Sequence, residues 1–460
     1  MSICKTLWKI LLLKAILVEE LGSLNPHSHI PPKPTDTFTI SYTSGTTGKP
    51  KGVVHLHSGM TYGVLNLLIG YENHKGNLLA SYLPLAHILQ RVLEFMAIGT
   101  LSPIAYTTGD VLRLLEDLQI MQPQTMVTVP RVLNRIYAVI KSQMDTPGVK
   151  GSLLKKGINN KLDKFHKTGD PTHIFWDKLI FNKIRQVIGG KIRLIITGSA
   201  PIATDVIDTL KVCLCIPIVE GYGSTEGSIC VRTLDIDPNA AGFVGPMVPG
   251  FEIKLMDVEE MNYFSTDKPF PRGEICIRSK CGMKEYYKDE EKTKESLTSD
   301  GFFLSGDIGL IDDLGRLKII DRKKNIVKLA QGEYIALEKL EGVFALCSSI
   351  LQIYVHADSL KSHLVAVIVP DLEELKKKYG VLNEHDENIE RYIKQDLDEA
   401  SHKAGLKGFE RIKNIHITFD QFTLDNGLLT PTLKVKRNLV GDLYKDVIAN
   451  LYNDTDNSKL

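Results

Sequence analysis

Neither sign of charge is in excess in this sequence. Among its 460 residues, 56 are Lys or Arg and 55 are Asp or Glu, so the formal net charge is +1. This balance supplies no long-range positive field, which argues against a general nucleic-acid binder or a polybasic membrane binder. Glycine and proline, at 36 and 20 residues, are too few for a collagen-like or wholly disordered chain. The length instead predicts a globular protein of about two to four domains.

Cysteine is scarce and scattered. The seven cysteines are an odd number, and no two C-x-x-C pairs stand at the spacing of a zinc site. Cys213 and Cys215 lie in the apolar run 212–219, which we interpret as a strand that would turn both side chains to one face. We therefore predict buried thiols in a reducing compartment rather than disulfides or a metal site. The histidines also lack metal-ligand companions, so structural zinc is not expected.

Long hydrophobic runs are missing as well. The one membrane candidate, residues 7–18, has 12 residues and includes Lys9 and Lys14. It is too short and too charged to span about 30 Å of hydrocarbon. A signal-peptide core is one interpretation, but residues 19–22 read Glu-Glu-Leu-Gly and offer no small-residue cleavage site. We favour an amphipathic helix that ends near Gly22.

Short apolar runs alternate with helical stretches along the first half of the sequence. Residues 37–42 predict a strand that leads into a Gly/Thr/Ser loop at 43–52, and a helix begins near Ser58. Further predicted strands are 78–84, 125–129 and 193–197, and predicted helices are 111–119, 130–143 and 172–187. Residues 146–160 are interpreted as an exposed connector rich in Lys and Gly. The alternation predicts an α/β fold with parallel strands.

The pattern changes after Gly242. Predicted strands at 251–257, 273–279 and 315–321 are divided by Gly, Pro and Asp turns, which indicates a β-rich subdomain over residues 242–321. A helix at 335–346, a strand pair at 351–370 and helices at 372–379 and 387–404 predict a separate α+β unit. We therefore expect a large N-terminal domain, residues 1–321, and a small mobile C-terminal domain, residues 322–460.

The segment 42–52, Tyr-Thr-Ser-Gly-Thr-Thr-Gly-Lys-Pro-Lys-Gly, carries the clearest chemistry. Its glycines free the backbone to wrap an anion, its hydroxyls donate hydrogen bonds and its lysines add positive charge. It is not the mononucleotide P-loop, because only two residues separate Gly45 from Gly48 and Pro50 follows the lysine. The alternative is a flexible turn. By itself the segment predicts a phosphate-binding loop and nothing more specific.

Four further segments each have a structural interpretation and a functional one. His87 follows an apolar strand, as a core histidine can. Residues 221–227, Gly-Tyr-Gly-Ser-Thr-Glu-Gly, place an aromatic face, hydroxyls and a carboxylate on a glycine-rich loop. Asp307 ends the turn 303–307, and residues 320–324, Ile-Asp-Arg-Lys-Lys, could be a solvated run of charge. The specificity lies in their order and co-occurrence.

Together with the phosphate-binding loop, these segments resemble the adenylate-forming (AMP-binding, acyl-CoA synthetase) superfamily. Within it the chain is similar to eukaryotic long-chain fatty-acid–CoA ligases, because residues 317–324 and 328–335 match the signature that fatty acyl-CoA synthetases carry across the domain boundary. The resemblance implies ATP, Mg²⁺ and coenzyme A, an acyl-AMP intermediate, and two half-reactions at the interface of the two domains.

The resemblance also implies roles for individual residues. The loop that would wrap the β,γ-phosphates is Thr43, Ser44, Gly45, Thr46, Thr47, Gly48 and Lys49. The nucleotide pocket would consist of Ser199, Ala200, Pro201, Gly221, Tyr222, Gly223, Thr225, Asp307 and Arg322, with Tyr222 against adenine and Asp307 on the ribose hydroxyls. The catalytic residues would be Thr43, His87 near the acyl carboxylate, Glu226 as the Mg²⁺ ligand, and Lys436, which closes on the adenylation site. Lys324 would be the hinge.

The implied function is a long-chain fatty-acid–CoA ligase that activates fatty acids for lipid metabolism or peroxisomal β-oxidation. Only 42 residues precede Thr43, where the family carries a long segment. Two alternatives therefore stay open: an adenylating enzyme that never makes the thioester, and a truncated, non-catalytic paralogue.

The last three residues predict a location. Residues 458–460 read Ser-Lys-Leu, the address that the peroxisomal import receptor reads, and the polar residues 450–457 should leave it exposed. We expect a peroxisomal protein with at most peripheral membrane contact and no nucleic-acid partner.

Overall fold

The computed structural model describes residues 20–43, 50–68, 76–110, 113–233, 240–381, 383–430 and 433–457. Residues 20–24 are helical, which agrees with a helix that ends near Gly22, whereas residues 7–18 lie outside the described part of the chain. Within the described ranges, no helix has the length and apolar character needed to cross a membrane.

A six-stranded sheet forms the centre of the N-terminal part. Its strands are β3 Leu79–Ser81, β4 Ile104–Tyr106, β5 Thr125–Thr128, β6 Leu194–Gly198, β7 Ile218–Ser224 and β8 Ser228–Arg232. They are ordered β4-β3-β5-β6-β7-β8, with every pair from β4 to β7 parallel and β8 antiparallel to β7. The predicted α/β fold with parallel strands is therefore confirmed.

Helices cover this sheet and bury its strands. They are His57–Leu68, Ile88–Gly99, Leu114–Met121, Pro130–Met144, Val149–Thr168, Ile174–Trp176, Asn182–Gln186 and Thr204–Leu214, with a π-helical turn at Asp177–Phe181. Leu194 and Ile195 of β6 are 0% exposed. Parallel strands that are covered on both faces are continuous apolar runs, and the strands predicted at 125–129 and 193–197 are confirmed on that pattern.

The prediction of an exposed connector at residues 146–160 is wrong. A helix spans Val149–Thr168, and it buries Leu154, Ile158 and Phe165 against the core. Its glycines mark close packing rather than flexibility, because a Cβ atom on Gly157 would lie only 3.0 Å from the Trp176 ring. The lysines occupy mainly the opposite, exposed side. A sequence rich in Lys and Gly therefore conceals an amphipathic helix.

The assignment of Cys213 and Cys215 to a strand is also wrong. Cys213 lies in the helix Thr204–Leu214, Cys215 caps that helix with a left-handed φ of 57°, and β7 begins only at Ile218. The apolar run fits either element because it is buried on all sides. The prediction of free thiols holds for the described residues, where all six cysteines are unpaired and five of them are buried.

Two antiparallel sheets complete the N-terminal part. The strands β9 Gly245–Pro246, β10 Phe251–Met256, β11 Arg272–Ser279, β13 Phe303–Ile311 and β14 Arg316–Arg322 form one sheet, ordered β10-β11-β13-β14-β9. This confirms the predicted β-rich subdomain. β1 Thr37–Thr43, β2 Lys51–Leu56 and β12 Glu285–Tyr286 form the other, ordered β1-β2-β12. The sequence does not predict β2, because its pairing with β12 joins residues more than 200 positions apart.

The C-terminal part has its own α+β architecture. Its strands are β15 Ile326–Lys328, β16 Tyr334–Ala336, β17 Ile350–His356, β18 Leu364–Pro370 and β19 Ile412–Ile417. Its helices are Leu337–Phe344, Leu372–Tyr379, Ile389–Lys403, Arg437–Leu443 and Lys445–Asn457. Phe344 and Ile368, both 0% exposed, belong to a core made only of residues from this part. The domain boundary at residue 321 stays a prediction.

Candidate nucleotide-binding site

The predicted pocket residues after β6 and β7 lie side by side. Gly198 pairs with Gly221 where the two parallel strands end, so Ser199, Ala200 and Pro201 follow at the same edge of the sheet as Tyr222. The two backbones are close there, because a Cβ on Gly198 would lie 2.8 Å from the Gly221 carbonyl oxygen. Ligand sites in α/β sheets form at this carboxyl edge.

A tight hairpin after β7 holds Tyr222, Thr225 and Glu226. β7 and β8 pair through Tyr222 with Val231 and Ser224 with Ser228. Gly223 is required there, because an added Cβ would lie 2.1 Å from the Ser228 carbonyl oxygen. The hydroxyl of Ser224 accepts a hydrogen bond from the Gly227 N–H at 2.8 Å, which fixes the turn.

Tyr222 and Asp307 form a buried pair. The Tyr222 hydroxyl donates to Asp307 Oδ2 at 2.8 Å, and the two residues are 9% and 6% exposed. The backbone N–H of Asp307 donates to the Ser305 hydroxyl at 3.0 Å, which holds the carboxylate in place. Burial raises the pKa of Asp307, and the charge of Arg322 opposes that rise. The tyrosine ring is thus held by the carboxylate predicted to bind ribose.

Arg322 joins this pair across the neighbouring strand. Asp307 of β13 and Arg322 of β14 are paired in register, and Arg322 Nε lies 3.3 Å from Asp307 Oδ1. The arginine side chain is 49% exposed, so its guanidinium can also contact an anion in the cleft.

The charge of Lys434 acts on this group. Burial lowers the pKa of Lys434, the charge of Arg322 lowers it further, and Glu338, Asp307 and Asp321 oppose the shift. Its neighbour two residues on, Lys436, is instead the N-cap of the helix Arg437–Leu443, and its backbone N–H donates to the Leu428 carbonyl at 2.8 Å. The sequence offers both lysines in one short run and selects Lys436. The role of Lys436 stays a prediction, and Lys434 is a further candidate because folding brings its charge within the influence of Asp307.

Arg131 is a residue that sequence reasoning missed. It lies in the first turn of the helix Pro130–Met144, and its Nη1 donates to the Leu433 carbonyl oxygen at 3.3 Å. Leu433 has a left-handed φ of 62°, an unusual conformation for a residue with a branched side chain. The turn that carries Lys434 is therefore tied to the N-terminal part. The sequence signal that could have identified Arg131 is its position shortly after the end of β5.

His87 lies at the same end of the fold. It caps the helix Ile88–Gly99, and its Nδ1 accepts a hydrogen bond from the Leu89 N–H at 3.3 Å. Burial lowers the pKa of His87, and the positive charge of Lys434 lowers it further. The imidazole is thus neutral at physiological pH and has a structural role as a helix cap, and its position near an acyl carboxylate stays a prediction.

Glu226 has one oxygen engaged. Tyr286 donates its hydroxyl to Glu226 Oε1 at 2.8 Å, and burial followed by the charge of Glu226 raises the pKa of that tyrosine. In the part of the chain that is described, no three His, Cys, Asp or Glu side chains cluster as a metal site. A single carboxylate nevertheless fits Mg²⁺, which is commonly held by one or two carboxylates together with substrate phosphates.

The remaining predicted residues belong to the phosphate-binding loop, the hinge and the C-terminal tripeptide. Thr43 ends β1 and pairs with Lys51, so the two strands flank the predicted phosphate loop, while Ser44, Gly45, Thr46, Thr47, Gly48 and Lys49 lie outside the described residues. Lys324 lies in a 3₁₀ turn, Lys323–Asn325, that connects β14 to β15. Residues 458–460 also lie outside the described part.

A buried Tyr222–Asp307 pair joined by the half-exposed Arg322 lies at the carboxyl edge of the sheet. This arrangement is typical of the class of nucleotide-binding α/β enzymes. Residues 8–287 match the AMP-binding enzyme family. The chain belongs to that family.

Comparisons with individual proteins agree with this assignment. The chain is 42% identical over 447 residues to "Long chain acyl-CoA synthetase 7, peroxisomal" of Arabidopsis thaliana, covering 95% of this chain and 63% of the relative. It is 40% identical to "Long-chain-fatty-acid–CoA ligase 5" of Rattus norvegicus, covering 94% of this chain and 65% of the relative. The chain therefore spans slightly less than two thirds of the length of these relatives.

Solved structures share the fold. The adenylation domain of a carboxylate reductase from Mycobacterium chelonae has a TM-score of 0.77 at 27% identity, covering 93% of this chain and 61% of that one. The corresponding domain from Segniliparus rugosus, in complex with AMP and a co-purified carboxylic acid, has a TM-score of 0.75 at 28% identity, covering 94% of this chain and 64% of that one.

Proposed function

We propose that this protein is an ATP-dependent long-chain fatty-acid–CoA ligase that works through an acyl-AMP intermediate. The observation that carries the proposal is the meeting of Tyr222, Asp307 and Arg322 at the carboxyl edge of β7. The charge of Lys434 acts on the same group. The names of the relatives, which are long-chain acyl-CoA synthetases, support the fatty acid as substrate.

The chemistry of the first half-reaction calls for cations rather than a general base. A fatty acid is already an anion at neutral pH, yet it is a poor electrophile. Attack of its carboxylate on the α-phosphate of ATP gives a mixed anhydride and releases pyrophosphate. Negative charge concentrates at that phosphate, so the protein must supply positive groups and hydrogen-bond donors. The charges of Arg322 and Lys434 both act on the Asp307 carboxylate and lower its pKa, against the effect of burial.

The other residues divide into binding and positioning roles. The hydrogen bond from Tyr222 to Asp307 fixes the ring proposed to stack on adenine, and the carboxylate is proposed to accept from the ribose hydroxyls. Glu226, steadied by Tyr286, would hold Mg²⁺, which supplies charge neutralisation at the phosphates when bound. Residues 43–49 are proposed to wrap the β,γ-phosphates. His87 would lie near the acyl carboxylate, and residues 199–201 would line the adenine pocket.

The second half-reaction needs a different arrangement. The thiol of coenzyme A must reach the acyl carbonyl, and Lys434 and its turn are proposed to cover that carbonyl in the first arrangement. Rotation about Lys324 is the proposed change, as in other enzymes whose lid closes differently on successive steps. The hydrogen bond from Arg131 to Leu433 would break in that rotation.

The two half-reactions can be measured separately. Fatty-acid-dependent exchange of pyrophosphate into ATP reports adenylation, and acyl-CoA formation reports the complete reaction; we expect both. Exchange without acyl-CoA would select the adenylating enzyme that makes no thioester. Absence of both activities together with absence of ATP binding would select the non-catalytic paralogue.

We also propose a peroxisomal location. Two of the similar proteins, both from Arabidopsis thaliana, are described as peroxisomal, and residues 458–460 read Ser-Lys-Leu. A fluorescent reporter that ends in residues 440–460 should enter peroxisomes, and the same reporter without Leu460 should stay in the cytosol. Cytosolic fluorescence from the intact reporter would contradict the proposal.

A further inference from the structure

One exposed surface of the N-terminal part combines apolar tips with lysines. We call it the basic face, and it is the exposed side of residues 149–186. Ile174, Phe175 and Leu179 are 94%, 61% and 45% exposed on it. An isolated exposed apolar residue is ordinary, but three within six residues form a local patch.

The same segment is strongly positive in a nearly neutral protein. Residues 149–186 contain nine Lys and Arg and three Asp, while the whole chain has a net charge of +1. Two of the three aspartates are already engaged, Asp177 by the buried Lys161 and Asp170 by Lys164. Exposed lysines without an ion pair in this fully described segment are Lys150, Lys155, Lys156, Lys167, Lys178 and Lys183.

Folding does not need these exposed residues. The inner side of the segment is anchored by Trp176 and Phe181, which are 5% and 0% exposed, and Gly157 lets the Trp176 ring approach the helix Val149–Thr168. Phe175 contacts the edge of Trp176 at 5.1 Å between ring centroids but still presents most of its surface to solvent. The apolar tips are therefore held on a rigid support.

We propose that the basic face docks on the surface of a bilayer that contains anionic phospholipids. Aromatic and aliphatic tips enter the boundary between headgroups and acyl chains, and exposed lysines of the same segment meet the negative headgroups. A second copy of this chain fits less well, because a symmetric contact would place two positive faces against each other. A nucleic acid would leave the apolar tips unpartnered.

The inference is independent of the catalytic steps, because no residue of the basic face belongs to the proposed site. Its consequence for the proposed function is supply of substrate, since a long-chain fatty acid partitions into bilayers. Failure of membrane binding and failure of ligase activity are therefore separate results.

Co-sedimentation of the full chain with vesicles tests the proposal. We expect binding to phosphatidylcholine vesicles that contain phosphatidylserine, weaker binding to phosphatidylcholine alone, and a loss at high salt. The double variants Ile174→Ser/Phe175→Ser and Lys178→Ala/Lys183→Ala should each reduce the partition coefficient, by roughly fivefold per lysine removed. The matched control is Leu101→Ser/Ile120→Ser, which alters residues 89% and 79% exposed elsewhere and should bind like the parent.

Three results would overturn the inference. Equal binding with and without phosphatidylserine would remove the electrostatic part, and unchanged binding of both basic-face variants would remove this surface. A dimer in analytical ultracentrifugation that Ile174→Ser/Phe175→Ser converts to a monomer would assign the face to a second copy. Thermal unfolding of each variant, compared with the parent, establishes that the chain is folded in every case.

Discussion

At the scale of single residues, two lysines compete for one role. Lys436 is the residue that the family resemblance selects, and Lys434 is the one whose pKa responds to the charges of Arg322 and Asp307. A positive charge stabilises the transition state only if it is near the phosphate where negative charge develops. The position of each side chain, rather than its place in a motif, therefore decides between them.

Lys434→Ala should lower pyrophosphate exchange by about 10²- to 10³-fold, while Lys436→Ala should lower it by less than about tenfold. Both variants should convert supplied acyl-AMP and coenzyme A to acyl-CoA at near the parent rate, because that step does not build charge on the α-phosphate. The opposite ranking of the two variants would return the role to Lys436.

A buried carboxyl next to the site makes stability depend on pH. Burial raises the pKa of Glu220 from 4.5 to about 8, with Lys211 opposing and Asp208 adding to the rise. The folded state then binds more protons than the unfolded state between about pH 4.5 and 8, so the free energy of unfolding falls as the pH rises through that window.

Glu220→Gln should reduce the change in the free energy of unfolding between about pH 5 and 8 by on the order of a few kcal/mol. Urea unfolding at a series of pH values measures this change. Asp208→Asn should also reduce it, but less, because it removes only a neighbouring charge. If the free energy of unfolding of Glu220→Gln depended on pH as that of the parent does, the prediction of a raised pKa for Glu220 would be contradicted.

At the scale of elements, one helix N-terminus positions the turn of another part of the chain. The Arg131 side chain donates a hydrogen bond to the Leu433 carbonyl oxygen, and Lys434 follows Leu433 directly in the same turn. A hydrogen bond from a charged donor contributes about 1.5–3 kcal/mol, enough to shift the docking of the turn by tenfold or more. We therefore expect Arg131 to favour the adenylation arrangement without touching the substrates.

Arg131→Ala should slow pyrophosphate exchange by about tenfold with little change in the KM for ATP, and should spare thioester formation from supplied acyl-AMP. The control is Arg135→Ala, one turn further along the same helix, where the described residues include no hydrogen bond to the turn. Equal losses in both half-reactions, or equal effects of the two variants, would contradict a positioning role.

At the scale of the whole molecule, the chain has separate hydrophobic cores. One core surrounds the six-stranded sheet, and two others consist of buried residues between Leu329 and Tyr452. A small cluster of Val258, Ile308 and Ile326 lies between the two parts. A unit with a complete core of its own is expected to fold alone. The predicted boundary at residue 321 can be tested on that basis.

A fragment of residues 322–460 should show helical circular dichroism and a single cooperative thermal transition. A fragment that starts at residue 350 should not, because it lacks Phe344, which is 0% exposed in the core of this part. A non-cooperative transition in the longer fragment would place the boundary elsewhere or make the two parts interdependent.

Local patterns in the sequence predicted a large part of the fold and the family. The alternation of apolar runs and helical stretches predicted the parallel sheet, and the ordered motifs around Tyr222, Asp307 and Arg322 predicted the family. These succeed because hydrophobic periodicity and turn chemistry act over a few residues. The overall charge balance argued against a polybasic membrane binder, but that total does not show the local excess of positive charge in residues 149–186.

Only the tertiary structure decided features that depend on contacts between distant residues. Arg131 and Leu433 are 302 positions apart, and no local pattern links them or separates Lys434 from Lys436. The helix Val149–Thr168 was not predicted for the same reason. Gly157 is needed there because the Trp176 ring packs against it, and that contact exists only in the folded chain. The sequence therefore determines the family and the kinds of side chain that its site requires. Long-range packing determines which of the candidate side chains lie where that chemistry takes place.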